Sequence, residues 1–424
     1  MSDFHDLIQL VGANAAQHTR LVAAYEGRSP LSYLSPEARA ALGNRLQAIN
    51  VNVPRLTVDV LGERLRVIGF DQPGIWEDWT FNHMQTMSAT AHTEAMLLGE
   101  CYAVVWAHPD GRPKISIESC TLMAADIDPV SHAVRGAVKR WEDRNGTHAV
   151  HYGPESITRY HSAATGAYGG FRAVEVLPNP LGVPPVVRLV NGDRLTSVGI
   201  SEMTDVLSLT DLLVKLTTDL ATASEYAARP RRWASGVELV EDAEGNVINP
   251  FPESARMMLA EDVETRFGSL PGSDLGGYEN AITVVLKLIS AVSGLPERLL
   301  GVGSDNPTSA DSIRASEASL TAKAEARQRQ FGRAWSEVAA LVHAVRTGAD
   351  PLSLDIRPVW ADAATRSEAQ EADAVVKLYA SGLLPQSYAL RKLGYSTDEI
   401  AEIQAARRAD ALATAGTDLT GLAL

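Results

Sequence analysis

Hydrophobic residues recur at helical spacing along two neighbouring stretches in the second half of the chain. In the first stretch they stand at steps of three and four: Tyr278, Ile282, Val285, Ile289 and Val292. This spacing places them on one face and predicts a helix. In the second stretch, an apolar stripe with a gap near Glu317 and Arg327 predicts one helix from about 309 to 347, roughly 58 Å long. The connecting sequence GLPERLLGVGSDNP has three glycines and two prolines, so we predict a loop over 294–308.

The first hundred residues also carry helical patterns. We predict helices over 3–26, from Ser35 onward, over 53–65 and over 76–98, with a strand at 65–70. Four large aromatic residues stand at helical spacing, and we expect them to pack in the core: Trp76, Trp79, Phe331 and Trp335.

After the fourth helix the period of the pattern changes to two, which is typical of strands. Alternating segments flank Pro109-Asp110-Gly111 and Asn145-Gly146, and such turns predict β-hairpins. Further strands are predicted at 156–161 and 172–176, followed by an extended segment over 179–187. Helices that precede a mostly antiparallel sheet indicate an α+β fold rather than alternating βαβ units.

The pattern returns to helix over 200–228, and Pro230 ends that helix. The turn-rich insert that follows has predicted strands around 233–240 and 263–267 and a short helix at 253–259. Because the insert lies between two apolar helices, we expect it to project as a small lobe from the tip of a helical hairpin. After the long helix we predict a strand at 352–360 and a helical region over 365–412, broken at 382–385 and at 394.

Composition narrows the classes of function. With 424 residues, of which 45% are hydrophobic and 21% charged, the chain is long enough for two to four compact units. Its net charge of −14 argues against a protein that coats DNA or RNA, which normally carries a basic face. Cys101 and Cys120 are the only cysteines, so a disulfide framework is not expected. The sequence shows neither a signal-peptide pattern nor a run of eighteen apolar residues, so we expect no secretion signal and no membrane span.

No motif for catalysis or cofactor binding stands out. The chain lacks GxxxxGK[ST], HExxH, CxxC and GxSxG. The run 301–306 has two glycines of a dinucleotide fingerprint, but it follows a helix instead of a strand. Asp126 and Asp128 could hold a divalent ion or form a solvated strand end, and His148 and His151 could be metal ligands or surface residues. We expect neither a metal nor a cofactor.

One compact basic cluster surrounds Pro230: Arg229, Arg231 and Arg232. It has two interpretations. The arginines could be solvated at a helix end, where the helix dipole favours positive charge. They could instead contact an acidic partner or DNA.

Several short segments match one known family in their order along the chain. They are Tyr25-Glu26-Gly27, Asn52–Asp59, Asn179–Pro184, Gly294-Leu295-Pro296 and Asn306–Ala310. Together with the order of helix, small lobe, returning helix, glycine-rich loop and long helix, they resemble the portal proteins of tailed bacteriophages, the siphophage-type head-to-tail connectors. The resemblance covers nearly the whole chain. The compact insert and the short C-terminal region depart from the family pattern.

The resemblance implies an α+β architecture of named parts. They are a wing of helices and antiparallel sheet (1–199), a stem helix (200–229), a small α/β clip (230–275), a returning stem helix (276–293), a tunnel loop (294–308), a long wing helix with a strand (309–364) and a helical crown (365–424).

The resemblance also implies function. Such proteins form a ring, here expected to have twelve copies, that has no enzymatic activity and lies at one capsid vertex in the virion. Double-stranded DNA passes through the ring without sequence specificity during packaging and ejection. The implied partners are terminase, the major capsid or scaffold protein and a head-completion adaptor, with assembly in the host cytoplasm and no membrane contact.

Two groups of residues are candidates for these roles. The tunnel loop would touch DNA through Gly301, Val302, Gly303, Ser304, Asp305 and Asn306. The clip would dock partners through Arg231, Arg232, Glu241 and Asp242. A ring of twelve copies would carry twelve times −14, or −168, formal charges, and this field favours sliding over gripping of phosphate.

Two other classes of protein stay open from the sequence. A minor capsid or scaffold protein without a channel would contain the same helices in one monomeric bundle. A metal-dependent DNA-processing enzyme would need a carboxylate cluster, for which only Asp126 and Asp128 are candidates.

Overall fold

The structure, a computed structural model of the 424-residue chain, divides into two compact units, Met1–Ala363 and Ala364–Leu424. It describes residues 4–29, 51–192, 194–195, 199–228, 232–236, 240–241, 247–248, 264–269, 275–302, 309–364, 368–393, 395 and 399–409. The helices predicted from Ser35 and at 253–259 lie outside these residues.

Among the residues that the structure describes, the first unit opens with five helices. They are α1 (Phe4–Leu10), α2 (Ala15–Tyr25), α3 (Val53–Gly62), α4 (Ile75–Phe81) and α5 (Met84–Leu98). The predictions of one continuous helix over 3–26 and another over 76–98 are therefore wrong, since each range contains two helices. The second break lies at His83, whose φ of 55° is in the left-handed region, where a helix cannot continue.

The chain forms nine strands between residues 67 and 190. They are β1 (Val67–Phe70), β2 (Glu100–Ala107), β3 (Pro113–Ser119), β4 (Met123–Ile127), β5 (Val134–Asp143), β6 (Gly146–Tyr152), β7 (Ser156–Ser162), β8 (Arg172–Pro178) and β9 (Val186–Val190). Two antiparallel sheets form, with strand orders β3-β2-β9 and β4-β5-β6-β7-β8. Both predicted hairpins are confirmed, as β2–β3 and β5–β6, and so is the mixture of helices with antiparallel sheet.

A small apolar cluster joins α1 to the five-stranded sheet. Its buried members are Leu7, Ile8, Val11, Ala124, Val138 and Ala149. The ring of Phe4 stacks on Tyr160 with the ring centroids 3.9 Å apart. The N-terminal helix is therefore part of the sheet's packing.

A helical hairpin and a long helix follow β9. Their helical segments are α6 (Leu207–Ala228), α7 (Gly276–Ser293), a 3-10 helix (Glu297–Leu300) and α8 (Ala310–Thr347). Helix α6 begins seven residues after the predicted start at 200, because turns precede it, including one in which the Ser201 hydroxyl accepts the amide of Met203 at 3.2 Å. Helix α8 has 38 residues, with Ser309 as its N-cap and Gly348, at a φ of 73°, as its C-cap.

The insert between α6 and α7 contributes short strands. They are β10 (Arg232–Ser235), β11 (Val240–Glu241), β12 (Val247–Ile248) and β13 (Arg266–Ser269). Strand β10 pairs with β13 and β11 with β12, both antiparallel. The strand predicted over 233–240 is therefore two strands that belong to different pairs.

The main core of the first unit forms around the C-terminal half of α8. Phe331 and Trp335 are fully buried there and contact His92 of α5. The Trp335 indole N–H donates to Nε2 of His92 at 2.8 Å. Trp79 packs edge-on against Trp335, with ring centroids 5.1 Å apart. The expectation that these aromatic residues lie in the core is confirmed for Trp79, Phe331 and Trp335, whereas Trp76 is partly buried.

After α8 the chain returns to the beginning of the unit. Strand β14 (Pro358–Trp360) pairs antiparallel with β1, about 290 residues earlier in the sequence. The strand predicted over 352–360 is thus shorter, because Pro351–Ser353 form a 3-10 turn whose Leu352 amide is bonded to the Asp350 carboxylate at 2.9 Å.

The second unit is helical in the part that the structure describes. Its elements are α9 (Glu368–Ala380) and α10 (Gln386–Lys392), with further helical residues at 399–409. The predicted break at 382–385 is confirmed, and Gly382 adopts a φ of 74° there. Residue 394, the second predicted break, lies outside the described residues.

Candidate functional site

The first part of the predicted loop is an ordered turn. Gly294, at a φ of 76°, ends α7, and Leu295 after it is 2% exposed. The Ser290 hydroxyl donates to the Leu295 carbonyl at 2.6 Å. A Cβ at Gly294 would lie 3.0 Å from the Ser319 hydroxyl, so this end of α7 packs closely against α8.

Two of the six candidate loop residues belong to this turn. Gly301, with a φ of 73°, ends the 3-10 helix, and the amide of Val302 donates to the Glu297 carbonyl at 3.1 Å. The other four lie outside the described residues: Gly303, Ser304, Asp305 and Asn306. The structure therefore shows how the first part of the loop is attached to the end of α7.

A buried carboxylate on α8 holds this turn. Glu317 is 3% exposed, and it bonds to two arginines from different parts of the first unit. One carboxylate oxygen pairs with Arg298 of the 3-10 helix. The other pairs with Arg64, just after α3, at 3.0 Å. Arg64 also donates to the Ala363 carbonyl at 2.8 Å, so it connects α8 to both ends of the unit.

A second buried carboxylate holds the start of α6. Glu202 accepts from Arg327 at 2.7 Å and from Lys323 at 2.6 Å, both on α8. Burial raises the pKa of Glu202, but the two cations outweigh this effect and keep the pKa below its usual value. Lys323 also reaches the Ser293 carbonyl at the end of α7, at 3.4 Å.

Sequence reasoning missed both carboxylate clusters. The apolar stripe of α8 has its gap at Glu317 and Arg327, and the sequence analysis assigned neither residue a role. Both side chains are in fact buried, and each forms an ion pair with a residue of another segment. Charged residues in register with an apolar stripe were the available signal, but Arg64 and Glu202, the partners of Glu317 and Arg327, are more than 100 residues away from them in sequence.

The outer side of α7 carries an exposed apolar stripe. Val284, Leu288 and Val292 are 57%, 47% and 49% exposed and stand at intervals of four residues, on one face of the helix. Val285 and Ile289 lie on the buried side. Val292, which its spacing places on one face with Val285 and Ile289, is therefore half exposed. An aligned apolar stripe on a helix is typical of a surface that contacts another protein.

The candidate docking residues do not share one sheet. The backbone of Arg232 belongs to β10, which pairs with β13, whereas Glu241 belongs to β11, which pairs with β12. Arg231 and Asp242, like Arg229 of the basic cluster, carry side chains outside what the structure describes.

The possible metal ligands have structural partners. The Asp128 carboxylate accepts the amides of Val130 and Ser131 and two bonds from Arg135, which together lower its pKa to about 2. His148 pairs with Asp143 at 3.0 Å. Within the described residues no group of three or more His, Cys, Asp or Glu side chains could hold a metal ion.

Three of the family-like segments contain side chains that form specific hydrogen bonds. The Tyr25 hydroxyl donates to Asp59 at 2.7 Å, and Asn52 donates to the Tyr25 carbonyl at 2.8 Å, so the first two segments hold each other. Asn179 is buried and donates to the carbonyls of Gly153 and Val183 at 2.9 and 2.7 Å. These hydrogen bonds hold separate turns of the chain close to each other.

No helix in the described part of the chain combines the length and apolarity that crossing a bilayer requires. The sequence itself matches known proteins. A model of the family described as phage portal protein, SPP1 Gp6-like, matches residues 44–412. The chain is 32% identical to a portal protein of Mycobacterium phage D29, covering 93% of this chain and 88% of that protein. It is 31% identical to a portal protein of Mycobacterium phage L5, covering 84% and 78% respectively.

Chains in two solved structures are similar to this chain at lower identity. A chain in the neck of an empty GTA particle computed with C6 symmetry is 15% identical, with a TM-score of 0.47, covering 89% of this chain and 98% of that chain. A chain in the neck of a native GTA particle computed with C12 symmetry is 14% identical, also with a TM-score of 0.47, covering 89% and 99%. The family resemblance inferred from the sequence is confirmed by the family model and the two mycobacteriophage relatives. This chain belongs to the phage portal protein family.

Proposed function

We propose that this protein assembles into a ring of twelve copies at one vertex of a phage capsid. Double-stranded DNA enters and leaves through the central channel of the ring, and the protein itself catalyses no reaction. The observation that carries the proposal within the structure is the exposed stripe of α7, Val284, Leu288 and Val292, which a neighbouring copy would cover. Membership of the portal family supports both the ring and its place in the virion.

The stripe suits a head-to-tail contact between copies. The inner face of α7 packs in the chain's own core through Val285 and Ile289, so only the outer face is available to another molecule. A contact between two different surfaces generates a closed ring when the rotation per copy divides a full turn. Each contact between neighbouring copies would therefore bury this face, and a closed ring would contain one such contact per subunit.

We assign the parts of the chain as follows. The wing comprises 1–199, the stem 200–229 and 276–293, the clip 230–275, the tunnel loop 294–308, the long wing helix and strand 309–364, and the crown 365–424. The residues from Gly301 to Asn306 would touch DNA, because the loop connects the returning stem helix to α8. The side chains there are small and, apart from the acidic Asp305, uncharged, so phosphates would pass without being held.

The clip would dock terminase during packaging and a head-completion adaptor afterwards, and the wing would meet the major capsid or scaffold protein. Arg231, Arg232, Glu241 and Asp242 are the candidate contacts, since charged side chains at an interface steer association and set specificity. Assembly would take place in the host cytoplasm before the capsid is filled.

Native mass spectrometry tests the ring. The expected species is twelve times 45.5 kDa, about 546 kDa. A 45.5 kDa monomer at assembly concentrations would contradict the proposal and favour a minor capsid or scaffold protein without a channel.

A loop deletion tests the channel separately. Removing Val302 to Asp305 should leave rings of the same mass but reduce DNA packaging or retention. Normal packaging by the deleted protein would exclude the loop from DNA contact while leaving the ring assignment intact. A matched deletion control is the exposed hairpin turn at Pro109-Asp110-Gly111, which lies between β2 and β3.

A further inference from the structure

The two ends of the α6–α7 hairpin are attached to α8 by ion pairs of different accessibility. At the α6 end, Glu202 bonds to Arg327, whose side chain is 7% exposed, and to Lys323. At the α7 end, the 3-10 helix is attached through Arg298, whose side chain is 48% exposed. Water and ions therefore reach the bond at the α7 end far more easily than the bond between Glu202 and Arg327.

The carboxylate at the α7 end can lose one partner without becoming unpaired. Each oxygen of Glu317 has its own arginine, Arg298 on one side and Arg64 on the other. Arg64 is nearly buried, with 13% of its side chain exposed, and it is further fixed by the Ala363 carbonyl. If Arg298 leaves, Arg64 still compensates the buried charge, so separation avoids the large cost of an isolated buried carboxylate.

Glycines flank the segment around Arg298 on both sides. Gly294 and Gly301, with φ of 76° and 73°, flank the 3-10 helix, and glycine crosses between backbone conformations more freely than other residues. Between them Leu295 is buried and acts as the apolar anchor of the turn. Pro296 is also buried and Leu300 packs against the core, so the segment 296–301 combines these apolar contacts with one exposed ion pair.

We propose that Arg298 and Glu317 are positioning residues that form a releasable latch for the base of the loop. The latch holds the 3-10 helix (Glu297–Leu300) against α8, and its opening moves this helix while α6 stays fixed through Glu202. Under the proposed function, on which this last consequence rests, the latch sets how far the loop reaches into the channel. The ion pairs themselves do not depend on that function.

Hydrogen–deuterium exchange on the full-length protein in its native assembly tests the latch. Arg298→Ala should raise exchange in peptides covering 295–302 by about two- to fivefold, within the range for a partly exposed ion pair. Peptides covering the start of α6, around Met203 to Leu213, should not change. Arg298→Lys keeps the positive charge and should restore most of the protection.

Arg333→Ala is the matched control. Arg333 is an exposed arginine on α8 that pairs with Glu337 at 3.3 Å, and its loss should leave exchange in 295–302 unchanged. Glu317→Gln gives a second route, because it keeps the side-chain volume but removes the charge, and it should also raise exchange in 295–302. If Arg298→Ala changes exchange there by less than about twofold, the anchor at Leu295 suffices and the latch is refuted. An equal rise throughout α6 and α8 would refute it too, since Arg298 would then be a general stabiliser.

This experiment separates the latch from the channel. Local exchange can respond to Arg298→Ala even if the rings package no DNA, in which case the proposed function fails and the latch remains. The reverse result, normal packaging with no local response, removes only the latch.

Discussion

Replacing Leu288 with glutamate tests whether the exposed stripe of α7 joins neighbouring copies. Leu288 is 47% exposed and lies between Val284 and Val292 at intervals of four residues. Fully burying a leucine stabilises by about 1.5–3 kcal/mol, so covering the exposed half contributes about 1 kcal/mol to each contact between copies. Leu288→Ala should therefore weaken each contact about fivefold. In the isolated chain, where this half is already solvated, its effect should be small.

Glutamate at this position should have a much larger effect on assembly than alanine. A carboxylate buried between copies without a partner costs about 3 kcal/mol or more per contact, which is over 100-fold in each association step. A closed ring contains one such contact per subunit, so the cost repeats around the ring. We expect Leu288→Glu to be a folded monomer at concentrations where the parent protein is a ring.

Sedimentation velocity and native mass spectrometry measure the assembly, and far-ultraviolet circular dichroism checks that the variant is folded. Leu352→Glu is the matched control, because Leu352 is also an exposed leucine of the first unit, at 79%, and lies in the turn after α8. Rings of Leu288→Glu that form at the same concentration as the parent would refute the role of the stripe. Equal disruption by Leu352→Glu would show that the effect is not specific to α7.

Three further predictions concern the fold that supports the site. Burial lowers the pKa of His92 from 6.5 to about 3, so His92 stays neutral in the folded state, whereas in the unfolded chain it binds a proton below pH 6.5. The free energy of unfolding should therefore fall by about 2 kcal/mol between pH 7 and 5. Urea unfolding of His92→Gln should show a correspondingly weaker pH dependence. Glu202→Ala leaves Arg327 buried without this carboxylate and should lower the free energy of unfolding by about 3 kcal/mol, whereas a loss below about 1 kcal/mol would mean that water replaces the bond. Asn179→Ala removes its bonds to Gly153 and Val183 and should cost about 2 kcal/mol, measured as a lower urea midpoint; an unchanged midpoint would contradict the bridging role.

The elements that the sequence predicted well are those with local signals. Helix α8 was predicted from 309 to 347 and runs from Ala310 to Thr347, because Ser309 and Gly348 are capping residues that act within one turn. The hairpins at Pro109-Asp110-Gly111 and Asn145-Gly146 were equally clear, since the turn chemistry lies between the strands that it joins. Periodicity and caps depend on neighbours a few residues away, and these are visible in any sequence.

The errors have a different origin. Helical periodicity continues through His83, because the spacing of apolar residues does not reveal that a single residue adopts a left-handed conformation. Val292 continues the apolar pattern of α7, yet it is half exposed because the side of the helix that meets the core is chosen by packing and not by spacing alone. The candidate loop and docking residues were selected through the family resemblance, and their roles stay predictions.

The sequence by itself thus determined the helices with clear caps, the hairpins, the mixed helical and antiparallel class and the portal family. Only the tertiary structure decided which distant segments meet. It pairs β14 with β1 and brings Arg64 and Arg298 to the two oxygens of Glu317. A charged residue on a helix has the same local pattern whether it faces water or a buried partner 250 residues away. The physical reason is that desolvation and pairing depend on the groups that folding places around a side chain, and these groups are not its neighbours in sequence.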